Sequence, residues 1–384
     1  MPQRRRAAYF RLSRMIKLVH AADFHLDSPF SALSAEQAAQ RRAEQRQIIE
    51  RLADFTNDFG AELLLLAGDL FDSALCYAES EECLCRALGR VKARVFISPG
   101  NHDYYSQRSP WARMKLPENV HVFSENAVGS VLLPELNTRV YGAAFIGKNS
   151  PALLTDFHVI EEPGVWKLLC LHGELGNPLS PYDPITEEQL AESGLHYAAL
   201  GHIHKASGLR KAGDTWYAWP GCPEGRGFDE CGEKTVNILS LDDAGGCELQ
   251  TASIASRRYE VLSVDVAGTD PLLAVITLLP DDTVRDIYRI VLTGETESAP
   301  DLKKLYANLS EMFFELQLRD ETRLRRSVWE CAGEDSLRGI FLKKLRQRYD
   351  GAANDEERKL IEQAARWGLA ALNNAEEVVQ HEDP

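Results

Sequence analysis

Five short apolar runs, each stopping at polar residues able to bind a metal, constrain this chain more than any other feature. They are IKLVHAAD ending at Asp23, ELLLLAGD at Asp69, RVFISPGNHD at Asp103, KLLCLHGE at Glu174 and YAALGHIH at His204. Continuous apolar runs of this length read as strands buried on both faces. Helical text over 36–58 and 79–90 separates the first three, giving a βαβαβ rhythm. An α/β layered fold follows, with its ligands at the carboxyl ends of the strands. Between Asn119 and Gly147 the short segments VHVFSE and TRVYGAAF read as antiparallel strands, so the second half of the sheet is expected to be mixed.

Taken singly, an Asp-x-His or a strand-end Gly-Asp is uninformative. Together they are not. Asp23, His25, Asp69, Asn101, His102, Asp103, His172, His202 and His204 all close apolar runs, and they include five of the ten histidines. A sheet brings such ends to one rim, about 5 Å apart per neighbouring strand. Carboxylates, a carboxamide and imidazoles without thiolate suit Mn²⁺, Fe²⁺ or Zn²⁺ in pairs. Two such ions need a bridging carboxylate, and Asp69 stands in the middle of the order. The net charge of -15 argues against coating nucleic acid by bulk electrostatics but not against a nuclease whose metals supply the positive field.

The series DFH, GDLFD, GNHD, LHGE and GHIH resembles the signature blocks of the calcineurin-like metallophosphoesterases, in particular their DNA-repair exonuclease branch of SbcD-like and YhaO-like proteins. The resemblance is strong over residues 15–255 and weak beyond. It implies a layered α/β/β/α metallophosphoesterase sandwich with a small α+β capping domain and a C-terminal helical tail. It implies one metal, Mn²⁺ first among the choices, on Asp23, His25, Asp69 and His204, and a second on Asp69, Asn101, His172 and His202. It leaves His102 to protonate the leaving oxygen, oriented by the Asp103 carboxylate. The expected activity is two-metal hydrolysis of DNA phosphodiesters in repair. The alternatives are a phosphomonoesterase or nucleotide phosphodiesterase with the same centre, or a non-catalytic scaffold.

The expected divisions are 1–14 as a basic disordered or mis-annotated extension, 15–257 as the catalytic domain, 258–330 as the cap and 331–384 as the tail. In the cap, strand-like YEVLSVDV, DIYRIVLTGE and FFELQLRD alternate with helical text. In the tail, Leu337, Ile340, Phe341 and Leu345 form one apolar stripe and Leu360, Ile361, Ala364, Trp367 and Ala371 a second, predicting a helical hairpin. By the resemblance that hairpin docks an SMC-like ATPase, and a homodimer is a further expectation. The scattered cysteines and the lack of an export signal or spanning segment suggest a cytoplasmic protein away from membranes.

Other residues are open to plainer readings. His20, His158 and His196 read as packing or surface histidines, and Cys83 and Cys85 as structural. Glu174 reads as a partner of metal-bound water or a loop cap. Arg226, in the loop PGCPEGRGFDE, reads as a phosphate clamp or part of a plain turn. Lys205, Arg210, Lys211, Arg257 and Arg258 are candidate backbone contacts or a solvated face.

Overall fold

The computed structural model describes residues 15–73, 75–242, 246–324 and 328–372, so the expected extension at 1–14 lies outside the described residues. Strands β1 (Met15–Ala21), β2 (Leu63–Leu66), β3 (Arg94–Ile97) and β4 (Val120–Val122) pair in parallel. Val236–Asp242 and Cys247–Ala252 extend this sheet beyond β1 by antiparallel pairing, to six strands. A second six-stranded sheet runs through β5 (Gly129–Leu133), β6 (Thr138–Gly142) and β7 (Trp166–His172), then Tyr197–Gly201, Thr215–Ala218 and Arg210–Ala212.

Side-chain alternation explains why these runs are apolar throughout. On one face of the first sheet, Val19, Leu64, Leu66 and Val95 pack against Ile48, Ile49 and Leu52 of helix α1 (Ala35–Phe59) and Leu84 and Leu88 of helix α2 (Ala78–Arg90). On the other, Ile16, Leu18, Leu63, Leu65 and Phe96 meet Val140, Leu168, Cys170, Tyr197 and Ala199 of the second sheet. The outer face of that sheet packs Leu169, Leu171, Ala198 and Leu200 against Leu154, Val159 and Leu190. The layered α/β/β/α architecture is therefore present. Helix α1 starts at a Ser34/Gln37 capping box and stops at Gly60, whose φ of 70° suits the left-handed cap.

The strands expected to be antiparallel divide differently. VHVFSE supplies β4, which pairs in parallel with β3, and TRVYGAAF supplies β6, antiparallel to β5 but parallel to β7. The stretch from β3 to β4 includes a helical turn at Pro110–Arg113, and a connection of a dozen or more residues allows the crossover that a parallel pair needs.

The chain divides into two compact units, the first within Met1–Leu262, Pro280–Arg289 and Leu309–Gln317 and the second within Ser263–Leu279, Ile290–Asn308 and Leu318–Pro384. Tyr259–Asp265, Ile287–Thr293 and Glu315–Asp320 form a three-stranded sheet, interleaved in sequence with helices Pro271–Leu278 and Leu302–Leu309. In the second unit, helices Leu337–Asp350 and Asp355–Leu372 form the expected hairpin. Leu342 and Ala365 are fully buried between them, with Phe341, Leu345 and Leu369 packed alongside. Leu337, Leu360 and Trp367 stay exposed at 71%, 67% and 42%. A contact between two helices buries only a narrow strip of each, so it divides the stripes read from the sequence.

Candidate metal centre

The ligand-type residues reach one rim because β1, β2 and β3 all end there and the second sheet is tied to the same edge. Beyond the strands the ladder continues for two steps, Asp23 N donating to Gly68 O at 3.0 Å and His25 N to Asp69 O at 2.9 Å. The backbone then turns sharply: Asp23, His25 and Asp69 have φ of 56°, 47° and 52°, and His202 has 94°. Positive φ in residues with a Cβ is strained, and such strain is typical of functional sites. Across the sheets, His202 N donates to both carboxylate oxygens of Asp23 at 3.1 Å, and Ser98 Oγ donates to Cys170 O at 2.5 Å. The approach is close enough that a Cβ on Gly201 would collide with the Ala67 carbonyl oxygen, which makes glycine obligatory there.

Ligand atoms of Asp23, His25 and His204 lie within 4.8 Å of one another, as do those of Asp23, Asp69 and His172, and those of His25, Asp72 and His102. Asp69 Oδ2 is 3.7 Å from His25 Nε2 and 3.4 Å from His172 Nε2, so one carboxylate oxygen faces both histidines. Asn101 Oδ1 stands 3.0 Å from His172 Nε2 and 3.3 Å from His202 Nδ1.

Two imidazoles have Nδ1 hydrogen-bonded to an acceptor, and a third has a carboxylate beside it. His172 Nδ1 donates to the Ala67 carbonyl at 2.9 Å, His204 Nδ1 to Glu230 at 2.7 Å, and His25 Nδ1 lies 3.2 Å from the Asp72 carboxylate. Rings held this way direct Nε2 inward. His25 Nε2 and His204 Nε2 then face each other at 3.1 Å, and His172 Nε2 faces the oxygens of Asn101 and Asp69. Ring nitrogens and oxygens converging in this way fit divalent cations, and outer carboxylate or carbonyl partners are the usual way metal-binding histidines are aimed.

Protonation agrees. Burial pushes His172 down to about 3, and His25 and His202 down to about 4, keeping them neutral and able to donate lone pairs. Burial, and then the neighbouring Asp69 charge, raises Asp23 well above the usual carboxylate range. Such a group gains from a cation beside it. Burial acts to raise Asp72 and Glu230, but the hydrogen bond from His25 to the first, and those from His204 and Arg226 to the second, outweigh it and hold both low.

Asp103 does a different job from the one expected. Its buried carboxylate accepts backbone N–H groups from Asp69, Leu70, Phe71 and Gly100 at 2.8 to 3.3 Å, knitting the ends of β2 and β3 together. Burial and the Asp69 charge raise it to about 7 against those hydrogen bonds. The exposed His102 ring instead donates from Nδ1 to the Asp72 carbonyl oxygen at 2.9 Å. Backbone amides at a tight turn reach the carboxylate first, which residue spacing could not disclose.

Arg226 is committed to neighbours: Nη2 lies 2.9 Å from Glu230 Oε1 and Nη1 3.1 Å from Asp72 Oδ1. Asp72 and Glu230 are partners of the ligand-type histidines that sequence reading missed. Asp72 lies inside the quoted GDLFD block, whereas Glu230 meets His204 only after its loop folds back. The three histidines read as packing or surface residues sit elsewhere: His20 bonds Tyr197 Oη at 2.8 Å, His158 bonds Glu192 O at 3.0 Å, and His196 accepts from Lys167 N at 3.0 Å. Among the described residues, none of the eight cysteines is in a disulfide, and no helix is long and apolar enough to cross a membrane.

Residues 16–206 match the family model described as Calcineurin-like phosphoesterase. The chain is 28% identical over 345 residues to a protein named Uncharacterized metallophosphoesterase YhaO of Bacillus subtilis, covering 83% of this chain and 81% of that one. It is 24% identical over 331 residues to the D component of the SbcCD nuclease of Rhodobacter capsulatus, covering 69% and 75%. It is 22% identical over 277 residues to DNA double-strand break repair protein Mre11 of Methanopyrus kandleri, covering 66% and 60%.

Proposed function

Because the chain carries a domain of the calcineurin-like phosphoesterase family and is a hydrolase of phosphoric ester bonds, we propose that it cleaves phosphodiester bonds of DNA at a dinuclear metal centre and acts in DNA repair. The observation that carries this reading is the inward convergence of His25 and His172 on the Asp69 carboxylate, with His204 Nε2 facing His25 Nε2 and the Asp23 carboxylate.

Asp23, His25, Asp69 and His204 would hold one cation, and Asp69, Asn101, His172 and His202 the other, with Mn²⁺ the first choice for an N/O donor set. Two divalent cations held there would supply positive charge for the phosphoryl oxygens and Lewis-acid activation of water. The protein's part is orientation and proton handling. Asp72 and Glu230 hold the His25 and His204 rings, and Asp103 fixes the turn that presents Asn101 and His102. With Nδ1 donating to the Asp72 carbonyl, His102 can carry a proton on Nε2 for the leaving oxygen. Arg226, anchored by Glu230, adds fixed positive charge beside the site.

The exposed apolar residues Leu337, Ile340, Leu360 and Trp367 support docking of an ATPase partner on the C-terminal hairpin. The free cysteines support a cytoplasmic setting. The catalytic reading is tested by metal analysis and by Mn²⁺-dependent turnover of a linear DNA duplex, bis-p-nitrophenyl phosphate and p-nitrophenyl phosphate. Two metals per chain and preference for the diesters are expected. Turnover of the monoester alone would replace the nuclease reading with a phosphomonoesterase.

A further inference from the structure

Beside the ligand-type residues lies a cavity of about 470 Å³, and its lining includes Asp72 and Arg226 from the site itself. That volume is in the range of small-molecule pockets, roughly 300 to 1,000 Å³. Further lining comes from Phe228, Arg289 and Gln317. The Arg289 guanidinium lies 3.9 Å from the centre of the Phe228 ring, and its Nε and Nη2 donate to Gln317 Oε1 at 3.2 and 3.0 Å. The cation is thus stacked on the ring and pinned at its edge. Phe228 is braced in turn by Tyr259, edge-on at 5.2 Å between centroids. The Ser28–Leu33 loop adds Phe30, whose φ of 48° is a strained value for an aromatic residue and whose ring lies under the Arg41 guanidinium at 5.3 Å.

Resting on the phosphodiesterase reading above, we propose that this cavity receives the base of a nucleotide unstacked from its strand, adjacent to the phosphodiester held at the ligand cluster. Flat aromatic and guanidinium surfaces recognise the face of a base whatever its sequence, and a carboxamide such as that of Gln317 can pair with its edge. A phosphate group by itself has no flat face, so it would be attracted by the charge of Arg289 but would gain nothing from the braced ring of Phe228. Because Asp72 and Arg226 belong to both cavity and site, a base seated there is held next to the reacting phosphate. The enzyme should therefore favour ends or lesions where a base is already free, since unstacking from an intact duplex costs free energy.

Two measurements test this. First, 2-aminopurine deoxyribonucleoside monophosphate is titrated into protein kept metal-free with chelator, its fluorescence reporting stacking. Saturable quenching is expected, weakened about five- to a hundred-fold in Phe228→Leu and in Arg289→Ala, the range for losing one stacked base, and retained in Phe228→Tyr. Second, kcat/KM is compared for a dinucleotide and for the same molecule lacking one base. The native enzyme should prefer the intact dinucleotide, and Phe228→Leu should lose the preference. Absent quenching, or variants that bind as the native protein does, would overturn the base pocket. Hydrolysis that ignores the missing base would overturn it alone and leave the phosphodiesterase reading standing. Base binding without hydrolysis of any diester would support the pocket while overturning that reading.

Discussion

Asp72 Oδ1 stands 3.2 Å from Nδ1 of His25 and 3.1 Å from Nη1 of Arg226, so a single carboxylate couples a ligand-type imidazole to the cation beside it. The Asp72 carbonyl oxygen also fixes His102. Removing the side chain with Asp72→Ala should weaken Mn²⁺ binding about 10- to 100-fold, the usual effect of deleting an outer-shell partner. Metal titration of the chelator-treated protein reads this directly, and unchanged affinity would remove Asp72 from that role.

Asp69→Asn should lower occupancy of both metals and abolish turnover of bis-p-nitrophenyl phosphate, because an amide cannot balance two cations. Elemental analysis of the variant, with turnover alongside, is the check. Two metals per chain with normal turnover would contradict the bridging position.

His102→Ala should retain its metals and lose about 10²- to 10⁴-fold in rate, with the loss shrinking as the leaving group improves. Rates for alkyl and nitrophenyl esters provide the comparison. Equal losses on both would exclude the ring as the proton donor.

Arg41 is completely buried, with Nη1 on Glu224 and also 2.7 Å from Glu44, and Nη2 donating to Gly225 O at 3.2 Å. It pins the loop that carries Arg226 and Glu230 onto α1. Arg41→Met should destabilise the protein by about 3 to 5 kcal/mol, since a buried carboxylate loses its partner, and adding Glu224→Gln should recover part of that. Urea unfolding of the single and double variants measures both. No recovery in the double variant would place the cost in packing instead.

Asp183 is fully buried, accepts Leu153 N at 2.6 Å, and is raised by burial to about 7 from an ordinary 3.8. Between those values the folded state binds more protons than the unfolded chain, so stability attributable to this group falls as pH rises through that window. Asp183→Asn removes the charge that appears there. Its advantage over the native protein should be small near pH 4 and grow to about 4 kcal/mol above pH 7. Unfolding free energies across that range would show a pH-independent difference if the carboxyl instead stayed charged throughout.

What the sequence determined by itself was the layering and the roster of strand-end residues. Residues such as Leu64, Leu168 and Ala199 lie in strands with both faces covered, so their runs are apolar without interruption and legible one strand at a time. Asp23, His25, Asp69, His172 and His204 were legible for the same reason, as each follows such a run. Tertiary structure alone decided which atoms those residues turn toward. Asp103 went to four backbone amides, His102 to the Asp72 carbonyl and His204 to Glu230, 26 residues away in sequence. Periodicity reports which face of an element is buried. Hydrogen bonds depend on distances of a few tenths of an ångström between segments far apart in the chain, and those are fixed only when the two sheets close on each other.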